Sequence, residues 1–244
     1  MENIFLRQHI AIAFIVRYND NGVFYNSLKH ESAYLGMAMD VCILDINCIS
    51  DLQGKELLTP ERRSRMERYL RKSDQARCLG AGLLLRYAFG EERAAQILPD
   101  GLGKPYLPEG PYFNLSHSGD KVVLLVSDRP SGVDIEQISP WSRAVARRVF
   151  TQKEQAWLNA HEEEDSAFFR LWTAKEAVMK ALGLGFRLHP ESFEISPEED
   201  VPNPVEGSNW YLQWRKIEGH MLCCAVDIPL EEICIREIFP EDVR

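Results

Sequence analysis

Gly132-Val133-Asp134-Ile135-Glu136 places two carboxylates at alternate positions of a strand-like run. Side chains alternate faces along a strand, so Val133 and Ile135 enter a core while Asp134 and Glu136 share the other face. Two like charges that close raise each other's pKa unless something positive comes between them. Magnesium suits such a pair, because it takes oxygen ligands, usually one or two carboxylates completed by substrate phosphates and water. Taken alone, the spacing favours a plainer outcome, two acids solvated on an edge strand.

Two further constellations bear on the choice. In Trp172-Thr-Ala-Lys175-Glu176-Ala-Val-Met-Lys180, a helical repeat of 3.6 puts Trp172, Glu176 and Lys180 along one stripe. Glu176 and Lys180 then form either an ordinary ion pair, worth about 0.2–0.5 kcal/mol, or a third metal ligand beside an ammonium that faces a phosphate. In Asn114-Leu115-Ser116-His117-Ser118-Gly119, hydroxyl, imidazole and backbone donors offer a phosphate cradle. The plainer reading of a lone histidine is a satisfied structural one. A serine hydrolase is disfavoured: no Gly-x-Ser-x-Gly elbow occurs, and neighbours on a strand point apart.

The elements that must carry these residues follow from periodicity and breakers. A strand starts at Asp40. Thr59-Pro60-Glu61 opens a helix with a hydroxyl cap, Pro at the first position and an acid in the first turn. A second helix runs from about Ser73 to Phe89 and stops at Gly90. Helices are expected over Ser142–Phe150, Thr151–Asn159 and Ser166–Leu182, the last ended by Gly183. Strands are expected at Tyr112–Leu115, Val122–Ser127, Gly132–Glu136, Phe193–Ile195, Tyr211–Ile217, Met221–Val226 and Ile233–Ile238. The Asp128-Arg-Pro-Ser turn makes Val122–Ser127 and Gly132–Glu136 a hairpin. Two similar halves, each running strand, helices, strands, give an α+β fold.

The 244 residues can bury a full core, and 45% apolar with 27% charged residues is ordinary globular composition. A net charge of −9 argues against nucleic acid as a partner. The charge is uneven: from Glu61 to Arg77 seven basic residues stand against three acids, either a solvated helix face or an anion site. Six cysteines without a metal spacing suit reduced thiols in a cytoplasmic protein. No run of 18 apolar residues predicts a membrane span, and Ile10–Val16 is not read as a signal peptide. Residues 1–36 differ in pattern from the rest. They are either an appendage or an artefact of the start codon, with translation beginning at Met37 or Met39; the intact mass of the native protein decides.

Taken in order, Gly103-Lys104-Pro105, Asn114–Ser118, Gly132–Glu136 and Trp172–Gly183 resemble the 4′-phosphopantetheinyl transferases, specifically the two-half, Sfp-like group. The resemblance covers roughly residues 40–240, and the last two motifs are jointly specific. It implies a pseudo-two-fold pair of α/β halves in a monomer: an N-terminal extension (1–39), a half contacting the coenzyme A nucleotide (40–131) and a half with the metal and catalytic motifs (132–244). It implies transfer of phosphopantetheine from coenzyme A to a serine of an apo acyl or peptidyl carrier protein, releasing adenosine 3′,5′-bisphosphate. Asp134, Glu136 and Glu176 would hold Mg²⁺. Lys180, with help from Lys175, would contact the pyrophosphate. His117 and Ser116 would approach the 3′-phosphate or pyrophosphate, and Lys104 and Pro105 the adenine. Arg77 would bind the 3′-phosphate, while Arg62 and Arg65 stand where relatives often have lysine. Glu176, directly or through a metal-bound water, or Glu154 would be the base, a choice the sequence leaves open. Arg62–Arg77 and Arg143, Arg147 and Arg148 are candidate surfaces for an acidic carrier. Three other readings are a small trimeric holo-acyl-carrier synthase, which has about half this length, a magnesium phosphohydrolase, which has no use for Trp172–Lys180, and a catalytically inert coenzyme A-binding protein, which the intact motif residues disfavour.

Overall fold

The computed structural model describes residues 16–18, 24–26, 39–198, 201–229 and 233–243. The chain divides into two units, Met1–Tyr34 and Leu35–Arg244. In the first, β1 (Val16–Tyr18) pairs antiparallel with β2 (Phe24–Asn26). The question of a start at Met37 or Met39 lies largely outside the described residues.

The second unit opens with β3 (Asp40–Asp45), then α1 (Pro60–Glu67) and α2 (Lys72–Ala94). Thr59 Oγ1 accepts the Arg62 N–H at 3.4 Å, so the expected cap starts α1. The regular part of α2 breaks at Gly90, where φ is 75°. There follow β4 (Leu98–Pro99), β5 (Pro105–Tyr106), β6 (Tyr112–Ser118), β7 (Lys121–Ser127), β8 (Ser131–Gln137), α3 (Arg143–Val149), α4 (Gln152–Asn159) and α5 (Glu164–Leu182). The chain closes with β9 (Asn203–Val205), β10 (Ser208–Ile217), β11 (His220–Val226) and β12 (Cys234–Glu237). No helix among the described residues is long and apolar enough to cross a membrane.

Two four-stranded sheets result, in the orders β12-β3-β7-β6 and β8-β11-β10-β9. Alternation sorts each strand's side chains between layers. Val41, Ile43, Val123, Leu125, Val133, Ile135, Leu222 and Cys224 form the core between the sheets. Cys42, Leu44, Val122 and Leu124 face the other way, onto Leu79 and Leu83 of α2. Met221, Cys223 and Ala225 likewise face Leu171, Ala174 and Val178 of α5. The order of layers is therefore helix, sheet, sheet, helix. A fully buried side chain such as Leu222 or Ile135 contributes about 1.5–3 kcal/mol, and the fold's mixed α+β class follows from covering both outer sheet faces with helices.

Three sequence expectations are corrected. Val122–Ser127 and Gly132–Glu136 do not form a hairpin: β7 pairs with β3 and β6, while β8 pairs with β11. Both edges of β7 are occupied, so the turn at 128–130 carries the chain from one sheet to the other. Phe193–Ile195 is not a strand. Its polar backbone groups are satisfied by side chains instead, the Ile195 N–H by Glu154 and the Phe193 carbonyl by Lys175. The two halves are also not one run of chain each. The 131/132 boundary falls inside β8, and β12 returns to pair parallel with β3 in the first sheet.

Candidate active site

Gly132 lets the site form. A Cβ built there would lie 2.0 Å from the Ala177 carbonyl oxygen and 2.6 Å from the Ala181 nitrogen. Only glycine lets α5 lie that close to β8, and this contact brings the Glu176–Lys180 stripe over the outward face of Asp134 and Glu136. Asp134 is 2% exposed, and its Oδ1 accepts from Ser116 Oγ at 2.7 Å and Lys180 Nζ at 2.7 Å. Glu136 Oε2 accepts from Ser118 Oγ at 2.5 Å, and the Trp172 indole donates to the same carboxylate.

The strand that supplies these hydroxyls also stitches the two sheets together. Asn114, Ser116 and Ser118 share one face of β6. Their side-chain oxygens accept the backbone N–H groups of Val133 (3.2 Å), Ile135 (3.4 Å) and Gln137 (3.1 Å) on β8. These side chains stand in for a backbone ladder between two edge strands, and their period of two matches the pleat. Sequence reading singles out Ser116 but misses Asn114 and Ser118. The signal is present: three polar residues at alternate positions of a strand whose other positions, Phe113 and Leu115, are apolar.

His117 points to the opposite side of β6 and is exposed. Partial desolvation, then the nearby Arg77 and Lys180 charges, lower its pKa. Arg77, on α2, donates to the Gly119 carbonyl at 2.6 Å and pairs with Asp74 at 2.5 Å. Lys104 donates to the Ala181 carbonyl at 3.0 Å, at the C-terminal end of α5, with Pro105 next to it on β5. Arg62 packs its stem toward Gly82 and its side chain against Cys78 on α2. Arg65 is exposed and hydrogen-bonds the Tyr69 side chain. Neither Arg62 nor Arg65 bonds to the carboxylates among the described contacts.

Glu154 and Lys175 are not brought to this site. Lys175 is fully buried, pairs with Glu154 Oε1 at 2.9 Å, and donates to the carbonyls of Pro190 (2.7 Å) and Phe193 (2.6 Å). Glu154 is 2% exposed and closes the cap of α4 by accepting the Thr151 N–H at 2.7 Å, besides the Ile195 N–H at 2.7 Å. Both side chains are buried, and the Lys175 ammonium meets three acceptors, Glu154 Oε1 and the two carbonyls. The residues expected as a second base and as a pyrophosphate contact bond instead to each other and to backbone groups of α4 and the 190–195 segment.

Two carboxylates of the cluster are held above their usual range. Burial, then repulsion from Asp134, pushes Glu176 up to about 7. The same two causes raise Glu136. Asp134 Oδ2 is buried with no hydrogen-bond partner. Among the described residues no three carboxylate, imidazole or thiol groups are already drawn together as a ligand set; Lys180 and the two serines engage the inner oxygens. An orphaned buried oxygen and two strained carboxylates fit a divalent ion with oxygen preference.

Residues 130–226, which hold β8, α5 and β11, match the model of the 4′-phosphopantetheinyl transferase superfamily. A 4′-phosphopantetheinyl transferase of Bacillus subtilis is 33% identical over 160 residues, covering 61% of this chain and 70% of that one. The transferase Sfp of Bacillus subtilis strain 168 is 28% identical over 200 residues, covering 76% and 86%. A solved holo-[acyl-carrier-protein] synthase of Thermotoga maritima shares 15% identity over 41% of this chain and 63% of that one, at a TM-score of 0.30. The chain belongs to the 4′-phosphopantetheinyl transferases and is an enzyme of that class.

Proposed function

We propose that this enzyme transfers 4′-phosphopantetheine from coenzyme A to a serine hydroxyl of an apo acyl or peptidyl carrier protein, in a Mg²⁺-dependent reaction. The observation that carries this reading is that Asp134, Glu136 and Glu176 lie within electrostatic reach of one another, with Lys180 bonded to Asp134 among them and α5 held against β8 at Gly132. Asp134, Glu136 and Glu176 would hold the ion, which supplies charge neutralisation at the pyrophosphate when bound. Lys180 faces the same oxygens and offsets charge on the departing bisphosphate.

In the transfer, the carrier serine oxygen bonds to the phosphorus on the pantetheine side of the pyrophosphate. The bond from that phosphorus to the bridging oxygen breaks, and its electron pair leaves with adenosine 3′,5′-bisphosphate. Phosphoryl transfer needs positioning and charge compensation more than covalent help from the protein. The serine proton goes to Glu176, the carboxylate of the candidate pair that remains at the site. Arg77 and His117, across β6 from the carboxylates, suit the 3′-phosphate. Lys104 anchors the 100–106 loop to the end of α5 and so holds Pro105 in place for the adenine. The sealed Glu154–Lys175 pair supports α5 from behind and takes no part in the chemistry.

The test is direct. The enzyme is incubated with coenzyme A, Mg²⁺ and a panel of apo-carriers from fatty-acid, polyketide and nonribosomal-peptide systems. A phosphopantetheine mass increment on a carrier is expected, lost on chelation and restored by Mg²⁺. No increment on any carrier would overturn the reading.

A further inference from the structure

Asp74 lies in the first turn of α2, three residues before Arg77 and so on the same helix face. Its Oδ1 accepts from Arg77 Nη2 at 2.5 Å. Arg77 Nη1 donates to the Gly119 carbonyl at 2.6 Å. That carbonyl is a fixed post. Gly119 has φ 56°, and a Cβ there would lie 2.7 Å from Gln137 Oε1 and 2.8 Å from His220 Nε2. The next residue is tied on another side, where the Asp120 carbonyl accepts the Ile46 N–H at 2.8 Å. The guanidinium is thus held at two of its nitrogens, by an acid on its own helix and by the turn between β6 and β7. Two of its five N–H groups are committed, which leaves three uncommitted among the described contacts. His117, two residues before Gly119, stands within electrostatic reach of both Arg77 and Asp74.

Stability gives little reason for this acid. The Arg77 and Asp74 side chains are 19% and 35% exposed, and an ion pair one helical turn apart at such a position adds little. A favourable place at the N-terminus of α2 is the plainer role. For an anion the acid is unhelpful as a charge, because a carboxylate beside Arg77 repels an incoming phosphate. What the pair does provide is direction. A guanidinium is a planar fork, and its donors match phosphate oxygens only when it is aimed at them. We infer that Asp74 is the positioning residue of the 3′-phosphate subsite: it pins Arg77 against the Gly119 turn so that the remaining N–H groups and the His117 ring serve one anion. The inference rests on the proposed function, which gives Arg77 and His117 to that phosphate, and it adds the residue that aims them. A fork held before the ligand arrives removes an ordering cost from binding.

Asp74→Ala, Asp74→Asn and Arg77→Ala are compared with the wild type by calorimetric Kd for coenzyme A and for 3′-dephospho-coenzyme A, both with Mg²⁺ present. Charge alone makes Asp74→Ala bind coenzyme A more tightly, since an anion leaves the neighbourhood of a phosphate. Positioning makes it bind more weakly, by about five- to tenfold, the size of one misplaced charged hydrogen bond. The Kd for 3′-dephospho-coenzyme A is expected to move much less, because that ligand has nothing for Arg77 to meet. Asp74→Asn keeps an acceptor for Arg77 and is expected to recover most of the coenzyme A affinity, a rescue that a helix-end role does not require. An unchanged or tighter coenzyme A Kd in Asp74→Ala overturns the inference, and so does an equal loss for both ligands. Arg77→Ala separates the two readings. If it costs no more affinity for coenzyme A than for 3′-dephospho-coenzyme A, the placement of Arg77 in the proposed function fails. A selective loss in Arg77→Ala beside a normal Asp74→Ala sinks the inference alone.

Discussion

Two lysine–carboxylate pairs on the same helix have opposite fates. Lys180 meets Asp134 at 2.7 Å where the helix borders solvent, with the Lys180 side chain 26% exposed. Lys175 meets Glu154 at 2.9 Å with both side chains at 1% exposure or less. The buried pair is bonded to α4's cap and to backbone groups of the 190–195 segment. The open pair leaves Asp134 Oδ2 without a partner and keeps two further carboxylates under strain. Sites capable of chemistry are recognised by leftover demand, and structural pairs by its absence.

The largest expected effect tests the open pair. Lys180→Gln keeps a donor for Asp134 but removes the charge, and turnover should fall by about 100-fold or more, the range seen for losing one transition-state donor, with modest change in Tm. Glu176→Gln should show a comparable loss of kcat. Normal turnover in either would erase the distinction. The buried pair should respond in stability rather than rate. Lys175→Met strands Glu154 as an unpaired buried charge, costing about 3–5 kcal/mol and lowering Tm by on the order of 10 °C, while kcat per folded molecule stays near wild type. A stable Lys175→Met enzyme with lost turnover would return Lys175 to the site.

A pH experiment sharpens the same contrast. Glu176 is raised in the folded protein to about 7, above its unfolded value. The folded state therefore binds more protons than the unfolded chain between about 4.5 and 7, and stability falls as pH rises through that window. Without divalent ions, Tm should drop from pH 5 to pH 7.5; adding Mg²⁺ should remove most of the drop, because the ion binds the ionised carboxylates. A Mg²⁺-independent profile would count against the metal assignment. The smallest effect is expected from Ser118→Ala, which deletes the 2.5 Å bond to Glu136. It should weaken Mg²⁺ binding a few-fold by calorimetry and lower stability by about 1–3 kcal/mol, since it also deletes the bond accepted from the Gln137 N–H and each hydrogen bond contributes about 0.5–1.5 kcal/mol.

Local patterns in the chain carry much of this. Thr59, Thr151 and Gly183 mark helix ends by local hydrogen bonding and backbone preference, and the fold uses all three. The alternation in β8 puts Asp134 and Glu136 on one face, and the helical repeat puts Glu176 and Lys180 on one stripe. The same repeat also separates Lys175 from Lys180 by five residues, about 140° around the helix, so the two are unable to face one ligand together. Periodicity is a local property, and it assigns side chains to relative faces.

What periodicity does not assign is which face is sealed. That depends on residues far away in the chain. Pro190 and Phe193 close over Lys175, β11 rather than β7 takes the edge of β8, and β6 reaches across a sheet boundary through Asn114, Ser116 and Ser118. The sequence determined the carboxylates, their spacing and the family they resemble. Only the tertiary structure decided which lysine meets solvent and which glutamate is buried against Lys175, because burial and hydrogen bonding are set by the whole packed chain.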